Sequence, residues 1–121
     1  MANPRARLGA QGESIAAAHL EASGLKITAR NFRTRYGEID LIAEDGDTLV
    51  FVEVKTRRGG TFGTPEEAVT ARKRQHLAMA AAIYLQDHGQ EQREWRIDVV
   101  GIALQRNGPA VINHIRSIGL G

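Results

Sequence analysis

The sequence contains no cysteine, which excludes disulfides and every metal site built on thiolate. Long hydrophobic runs are also missing. The most apolar stretches, residues 77–85 and 99–104, fall well short of the roughly 20 residues that cross a bilayer. The N-terminus carries Arg5 and Arg7, then Gln11, Glu13 and Ser14 in place of an apolar signal core, so neither a membrane span nor secretion is expected. Together these absences predict a cytoplasmic protein. Aromatic residues make up only 5% of the chain, and Trp95, Tyr36 and Tyr84 are too scattered for the stacking platform that single-strand binders use. The histidines, His19, His76, His88 and His114, lack the paired spacing of zinc ligands, and surface or packing roles are expected of them.

A strong excess of one charge is absent too. Sixteen Lys and Arg against 14 Asp and Glu leave a net charge of +2, which by itself predicts a mixed, solvated surface. The basic residues are mostly arginine, whose planar fork suits phosphate. What is present is the composition of an ordinary globular domain: 121 residues, 42% hydrophobic and 25% charged. That length supports one core and one domain over residues 1–121.

Residues 8–22 are rich in Ala, Leu, Glu and Gln, with Leu8, Ile15, Ala16, Ala18 and Leu20 near helical spacing and Gly24 beyond the end, and predict a first helix. Residues 25–32 hold Ile27, Thr28 and Phe32 and read as a strand leading into the basic turn Arg33-Thr34-Arg35-Tyr36-Gly37. Residues 38–44 alternate, with Ile39, Leu41 and Ala43 on one side and Glu38, Asp40, Ile42 and Glu44 on the other. After the turn Asp45-Gly46-Asp47, residues 48–56 form a strongly β-branched run, so the two strands make a hairpin.

The glycine-rich, basic stretch 57–63 reads as a mobile connection. Thr64-Pro65-Glu66-Glu67 combines an N-cap, a first-turn proline and a capping glutamate, and predicts a helix running to about His88 with an interruption near Thr70. Residues 95–104 and 111–118 read as two final strands around Asn107-Gly108-Pro109. The order is αβββαββ, and helices packed on a mixed sheet give an α/β or α+β fold.

The informative feature is a pair of acids inside apolar strands: Asp40 in Gly37-Glu38-Ile39-Asp40-Leu41-Ile42-Ala43, and Glu53 in Val52-Glu53-Val54-Lys55. Strands deplete such residues, and a desolvated carboxylate is costly unless paired or bound to a metal. Period-two geometry puts Glu53 and Lys55 on one face. A hairpin turning at either Asp45-Gly46 or Gly46-Asp47 brings Asp40 to that face, and the second register sets it directly opposite Glu53. Two carboxylates so close repel unless a cation lies between them, and oxygen ligands without cysteine favour magnesium or manganese. Such an ion polarises a phosphoryl oxygen and acidifies a water, while the Lys55 ammonium orients that water or stabilises phosphate charge. A plain Glu53–Lys55 salt bridge is the competing reading.

Arg33, Arg35, Arg57 and Arg58 flank this constellation and are placed to grip phosphates on either side of a scissile bond. A solvated basic loop is the alternative for them. Glu38 shares the face of Asp40, as a supporting group or as an exposed strand glutamate.

Gly12-Glu13, residues 37–43 and Phe51-Val52-Glu53-Val54-Lys55-Thr56-Arg57 closely resemble the YraN-like family of small bacterial proteins. That family is similar to the archaeal Holliday-junction resolvases and sits in the PD-(D/E)XK nuclease superfamily. The likeness spans nearly the whole chain. It implies a restriction-endonuclease-like fold in which Asp40, Glu53 and the Val54 carbonyl hold magnesium, Glu13 adds a further ligand for metal or water, and Lys55 is the catalytic lysine. Lys73 matches a basic position of the family and is expected to contact backbone phosphate. Ile97 in Trp95-Arg96-Ile97-Asp98-Val99-Val100 replaces a usual aromatic, a departure that bears on packing. The expected activity is metal-dependent hydrolysis of DNA, selective for branched or single-stranded structure. The alternatives are a catalytically silent nucleic-acid-binding adaptor in recombination, repair or DNA uptake, and a protein-interaction domain. Likeness to the dimeric resolvases implies a homodimer.

Overall fold

The run Thr-Leu-Val-Phe-Val-Glu-Val is the most β-prone segment of the chain, and it becomes the centre of the sheet. A computed structural model describes residues 3–59 and 69–118. In it α1 (Pro4–Ala22) precedes β1 (Lys26–Thr34), β2 (Gly37–Asp45) and β3 (Thr48–Arg58), and α2 (Ala71–Asp87) precedes β4 (Trp95–Leu104) and β5 (Val111–Ile115). The strands form one sheet in the order β1-β2-β3-β4-β5. The β3–β4 pair is parallel and the other three are antiparallel. The parallel step needs a crossover, and α2 lies in it. This mixed five-stranded sheet with a helix on each face is the α/β arrangement that the sequence predicted. No helix among the described residues is long and apolar enough to cross a membrane.

Each helix closes one half of the core. Ala16, Ala17 and Leu20 of α1 pack on Leu41, Ala43, Val50, Val52, Val100 and Ile102. Leu77, Ala80, Ala81, Tyr84 and Leu85 of α2 pack on Ile39, Ile42, Leu49, Phe51, Ile97 and Val99. Ile97 is buried here, so an aliphatic side chain fills the position where an aromatic was expected.

Asn3 caps α1 by accepting from Arg5 N at 2.9 Å, with proline in the first turn, so the helix begins earlier than the apolar spacing indicated. Thr70, where an interruption was expected, is the cap of α2 and accepts from Lys73 N at 3.1 Å. The predicted cap Thr64-Pro65-Glu66-Glu67 lies outside the described residues. Arg57 and Arg58 belong to β3, where they pair with Ala103 and Leu104, and not to a mobile connection. The parallel ladder with β4 carries the strand that far. β5 ends at Ile115, three residues short of expectation, because Ser117 turns to φ +54 and gives its N–H to Asp98 instead of to a ladder.

Gly12 lets α1 approach β3 closely. A Cβ at this position would stand 1.7 Å from Thr56 Oγ1 and 2.8 Å from Thr56 Cβ. Gly12→Ala is therefore expected to lower stability by about 1–3 kcal/mol through overpacking, read by urea denaturation. An unchanged midpoint would show that the helix can ride away from the strand at no cost.

Candidate functional site

The hairpin turns at Gly46-Asp47, with Asp45 opposite Thr48 and Gly46 at φ +59. This is one of the two registers compatible with the sequence, and glycine first is what a two-residue turn of this kind requires. The β2–β3 ladder then runs only to Leu41↔Val52. Beyond it β2 stays with β1 as far as Gly37↔Thr34, and β3 stays with β4 as far as Arg58↔Leu104. The strands part at the next step, where the register sets Asp40 opposite Glu53. In place of a ladder bond, Val54 N–H donates to Asp40 Oδ2 at 2.8 Å.

The alternation predicted for residues 38–44 fails at Asp40. Ile39 packs with the α2 cluster and Leu41 with the α1 cluster, although residues two apart on a regular strand share a face. Facing Asp40 across the β1–β2 ladder, between Arg30↔Leu41 and Phe32↔Ile39, is Asn31 with φ +52. The backbone reversal there explains how one carboxylate reaches both Glu13 of α1 and Glu53 of β3.

Glu13, Glu38 and Asp40 each present a carboxylate oxygen within 4.8 Å of the others. Glu53 is only 4% exposed. Its Oε2 is buried and accepts no hydrogen bond from the described residues. Lys73 Nζ stands 3.2 Å from that oxygen and Lys55 Nζ 4.0 Å. The shorter contact is within hydrogen-bond distance but poorly angled, so it acts as ion pairing. The Thr70 cap fixes the Lys73 backbone at the start of α2, and this is what aims Lys73 at Glu53.

Burial pushes the Asp40 carboxyl up to about 8, aided by the hydrogen bond and charge of Glu53 and by the charge of Glu13, while the Val54 N–H pulls the other way. Its ordinary value is 3.8. In metal-free protein the native state therefore holds a proton that the unfolded chain has lost between about pH 4 and pH 8, so Asp40 makes stability fall as pH rises through that window. Asp40→Asn is expected to flatten this slope and to exceed the parent in stability at pH 8. Urea unfolding at pH 5 and pH 8 checks it, and parallel slopes for the two proteins would remove the strain assigned to Asp40.

Glu13, Asp40, Glu53, Val54 and Lys55 are thus brought together, and Lys73 joins them. Arg33 reaches the rim, 3.5 Å from Glu38, with its side chain 80% exposed. Arg35 lies over the Tyr36 ring, 5.0 Å from its centroid. Arg57 and Arg58 follow Lys55 along β3, with Arg58 exposed. The acidic group among the described residues includes no histidine. His88 stacks on Tyr84, and His19 faces His114 at 3.4 Å. Burial, His114 and Arg116 hold the His19 imidazole below its ordinary range.

Sequence reasoning missed Asn31, whose Nδ2 donates to Glu13 Oε1 at 3.0 Å and to Glu38 Oε1. The available signal was an asparagine inside a strand-like run, a residue that strands deplete and that tolerates positive φ.

The residues gathered here fall within a match to a family model described as "Uncharacterised protein family UPF0102", which covers residues 12–102. A UPF0102 protein of Beutenbergia cavernae is 50% identical over 112 residues, covering 93% of this chain and 95% of the relative. One from Symbiobacterium thermophilum is 58% identical over 96 residues, covering 79% of this chain and 81% of the relative. A third, from Mycolicibacterium smegmatis, is 49% identical over 117 residues, covering 95% and 94%. On both kinds of likeness, the chain belongs to the UPF0102 family, the YraN-like family whose motifs its first helix and its two central strands carry.

Proposed function

We propose that this chain is a magnesium- or manganese-dependent endonuclease that hydrolyses DNA phosphodiester bonds and selects branched or single-stranded substrates by their shape. The observation that carries this reading is the junction where β2 and β3 part. There Asp40 is held by Val54 N–H at 2.8 Å beside the buried Glu53, with two ammonium groups within 4.0 Å of the latter.

The residues fit a divalent cation. Glu53 Oε2 is a buried acceptor without a hydrogen bond, and burial, reinforced by Glu53 and Glu13, raises the Asp40 pKa, a cost to the charged form that a cation offsets. An all-oxygen donor set with no cysteine suits magnesium or manganese better than zinc. Asp40, Glu53, Glu13 and the Val54 carbonyl are the groups that would hold it. When bound, the ion supplies Lewis acidity to a phosphoryl oxygen and makes a nearby water easier to deprotonate.

The remaining work falls to the chain itself. Lys55 places a positive charge beside Glu53, where it orients a water or offsets charge growing on the phosphate. Lys73 is a second cation on the same carboxylate, free to turn toward phosphate once Glu53 is otherwise neutralised. Arg33, Arg35, Arg57 and Arg58 supply phosphate contacts on either side, which predicts binding that weakens as salt rises. Contacts of this kind read backbone and shape more than base sequence. In keeping with the likeness to dimeric resolvases, the acting unit is a homodimer.

A second reading has its own support. The Lys73–Glu53 pair neutralises the buried carboxylate without any ion, as a nucleic-acid-binding adaptor that keeps the nuclease frame would require. Incubation with labelled junction, flap and single-stranded DNA, with magnesium, with manganese and with chelator, separates the two. Metal-dependent products support the enzyme, binding without cleavage supports the adaptor, and neither result leaves a protein-interaction domain.

A further inference from the structure

We infer that Asn31 is a positioning residue that sets the cation affinity of the site by holding the Glu13 and Glu38 carboxylates beside Asp40; this rests on the metal-dependent reading above.

Three carboxylates from two elements cannot converge without opposing charge or donors. Glu13 comes from α1, whereas Glu38 and Asp40 come from β2. Among the described residues, one neutral side chain hydrogen-bonds to the first two together: the Asn31 amide, which has two N–H groups and spends them on Glu13 Oε1 and Glu38 Oε1. An amide is suited to the task, because it donates twice without adding a charge that would compete with a cation. An arginine or lysine at this point would neutralise the carboxylates itself.

The backbone supports the same assignment. Asn31 sits at φ +52, outside the strand region and facing Asp40, where an ordinary strand conformation would swing its side chain elsewhere. A further carboxylate adjoins Asp40: Glu53, whose buried Oε2 has no hydrogen bond from the described residues and is countered by the ammonium groups of Lys73 at 3.2 Å and Lys55 at 4.0 Å. Groups that orient metal ligands without binding the ion commonly govern its affinity.

Asn31→Gly tests this, because glycine keeps the left-handed backbone and deletes only the amide. Thermal unfolding of the native-sequence protein and the variant is followed against magnesium or manganese concentration, without DNA. The expected result is that the metal concentration giving half of the full stabilisation rises roughly 10- to 100-fold in Asn31→Gly, while the metal-free melting temperature stays close to the parent's. Saturating metal should restore the full shift. Glu38→Gln removes one of the two clamped charges yet still accepts a hydrogen bond, so Asn31→Gly should cost less affinity in that background.

A change in metal-free melting temperature with unaltered metal dependence would overturn the inference and leave Asn31 as a turn residue. An equal cost in the Glu38→Gln background would also overturn it. If the parent itself shows no metal-induced shift, the metal-dependent reading falls, and the inference falls with it; a shift in the parent that Asn31→Gly leaves untouched sinks the inference alone.

Discussion

Asp40→Asn should lower metal-dependent DNA cleavage by two to three orders of magnitude, the scale on which loss of one group that stabilises reaction charge is felt, while making the metal-free protein more stable at pH 8. The two effects have one cause. Asp40 is a carboxylate held at about 8 by burial and by Glu53 and Glu13, so its charged form is strained when no cation is present. Asparagine keeps an oxygen able to accept the Val54 N–H, now made at 2.8 Å, and removes the charge. A variant that loses activity while gaining stability behaves as a functional site and not as a packing position. Single-turnover cleavage of a labelled junction and urea unfolding of the same preparations measure both. Activity that survives unchanged would take Asp40 out of the reaction, and a fall in both quantities would mark it as a structural residue.

The largest stability effect is expected far from any proposed chemistry in sequence, at Asp98. This carboxylate is fully buried. It accepts from Arg96 Nε at 3.0 Å, from His114 Nε2 at 2.8 Å and from Ser117 N at 2.9 Å. It thereby ties β4 to β5 and to the segment that follows β5. Asp98→Ala should cost about 3–5 kcal/mol, because removing one member of a buried polar cluster leaves its partners desolvated and unpaired. Arg96 retains Asp45 at 3.0 Å, which favours the lower half of that range. Against a typical domain stability of about 5–15 kcal/mol, such a loss is large enough to leave a sizeable unfolded fraction at moderate temperature. Urea unfolding at neutral pH measures it. A cost below about 1 kcal/mol, the scale of a single ordinary hydrogen bond, would mean that water replaces the carboxylate.

Asp98 also shows where sequence reasoning stops. It carries the same signal as Asp40, an acid inside an apolar strand, and nothing local distinguishes the two. Asp40 stands at the point where β2 leaves β3, so its neighbours are other carboxylates. Asp98 stands on β4, where its neighbours are an arginine, a histidine and a backbone N–H. One environment gathers negative charge, and the other already contains an arginine and further hydrogen-bond donors. Strand identity and period were enough to place Glu53 and Lys55 on one face. They were not enough for Ile39, because the face reversal at Asp40 depends on Asn31 in another strand.

Local patterning alone determined the element order, the hairpin around Gly46 and the company of Glu53 and Lys55, since side-chain alternation and turn chemistry are properties of a few neighbouring residues. Tertiary structure decided the rest: which of two hairpin registers is used, that Glu13 and Glu38 meet Asp40, that Lys73 reaches Glu53 across the sheet face, and that Asn31 ties the acids together. These contacts join residues distant in the chain. They arise from how the strands part and how closely α1 can sit over Thr56, and no local period encodes either.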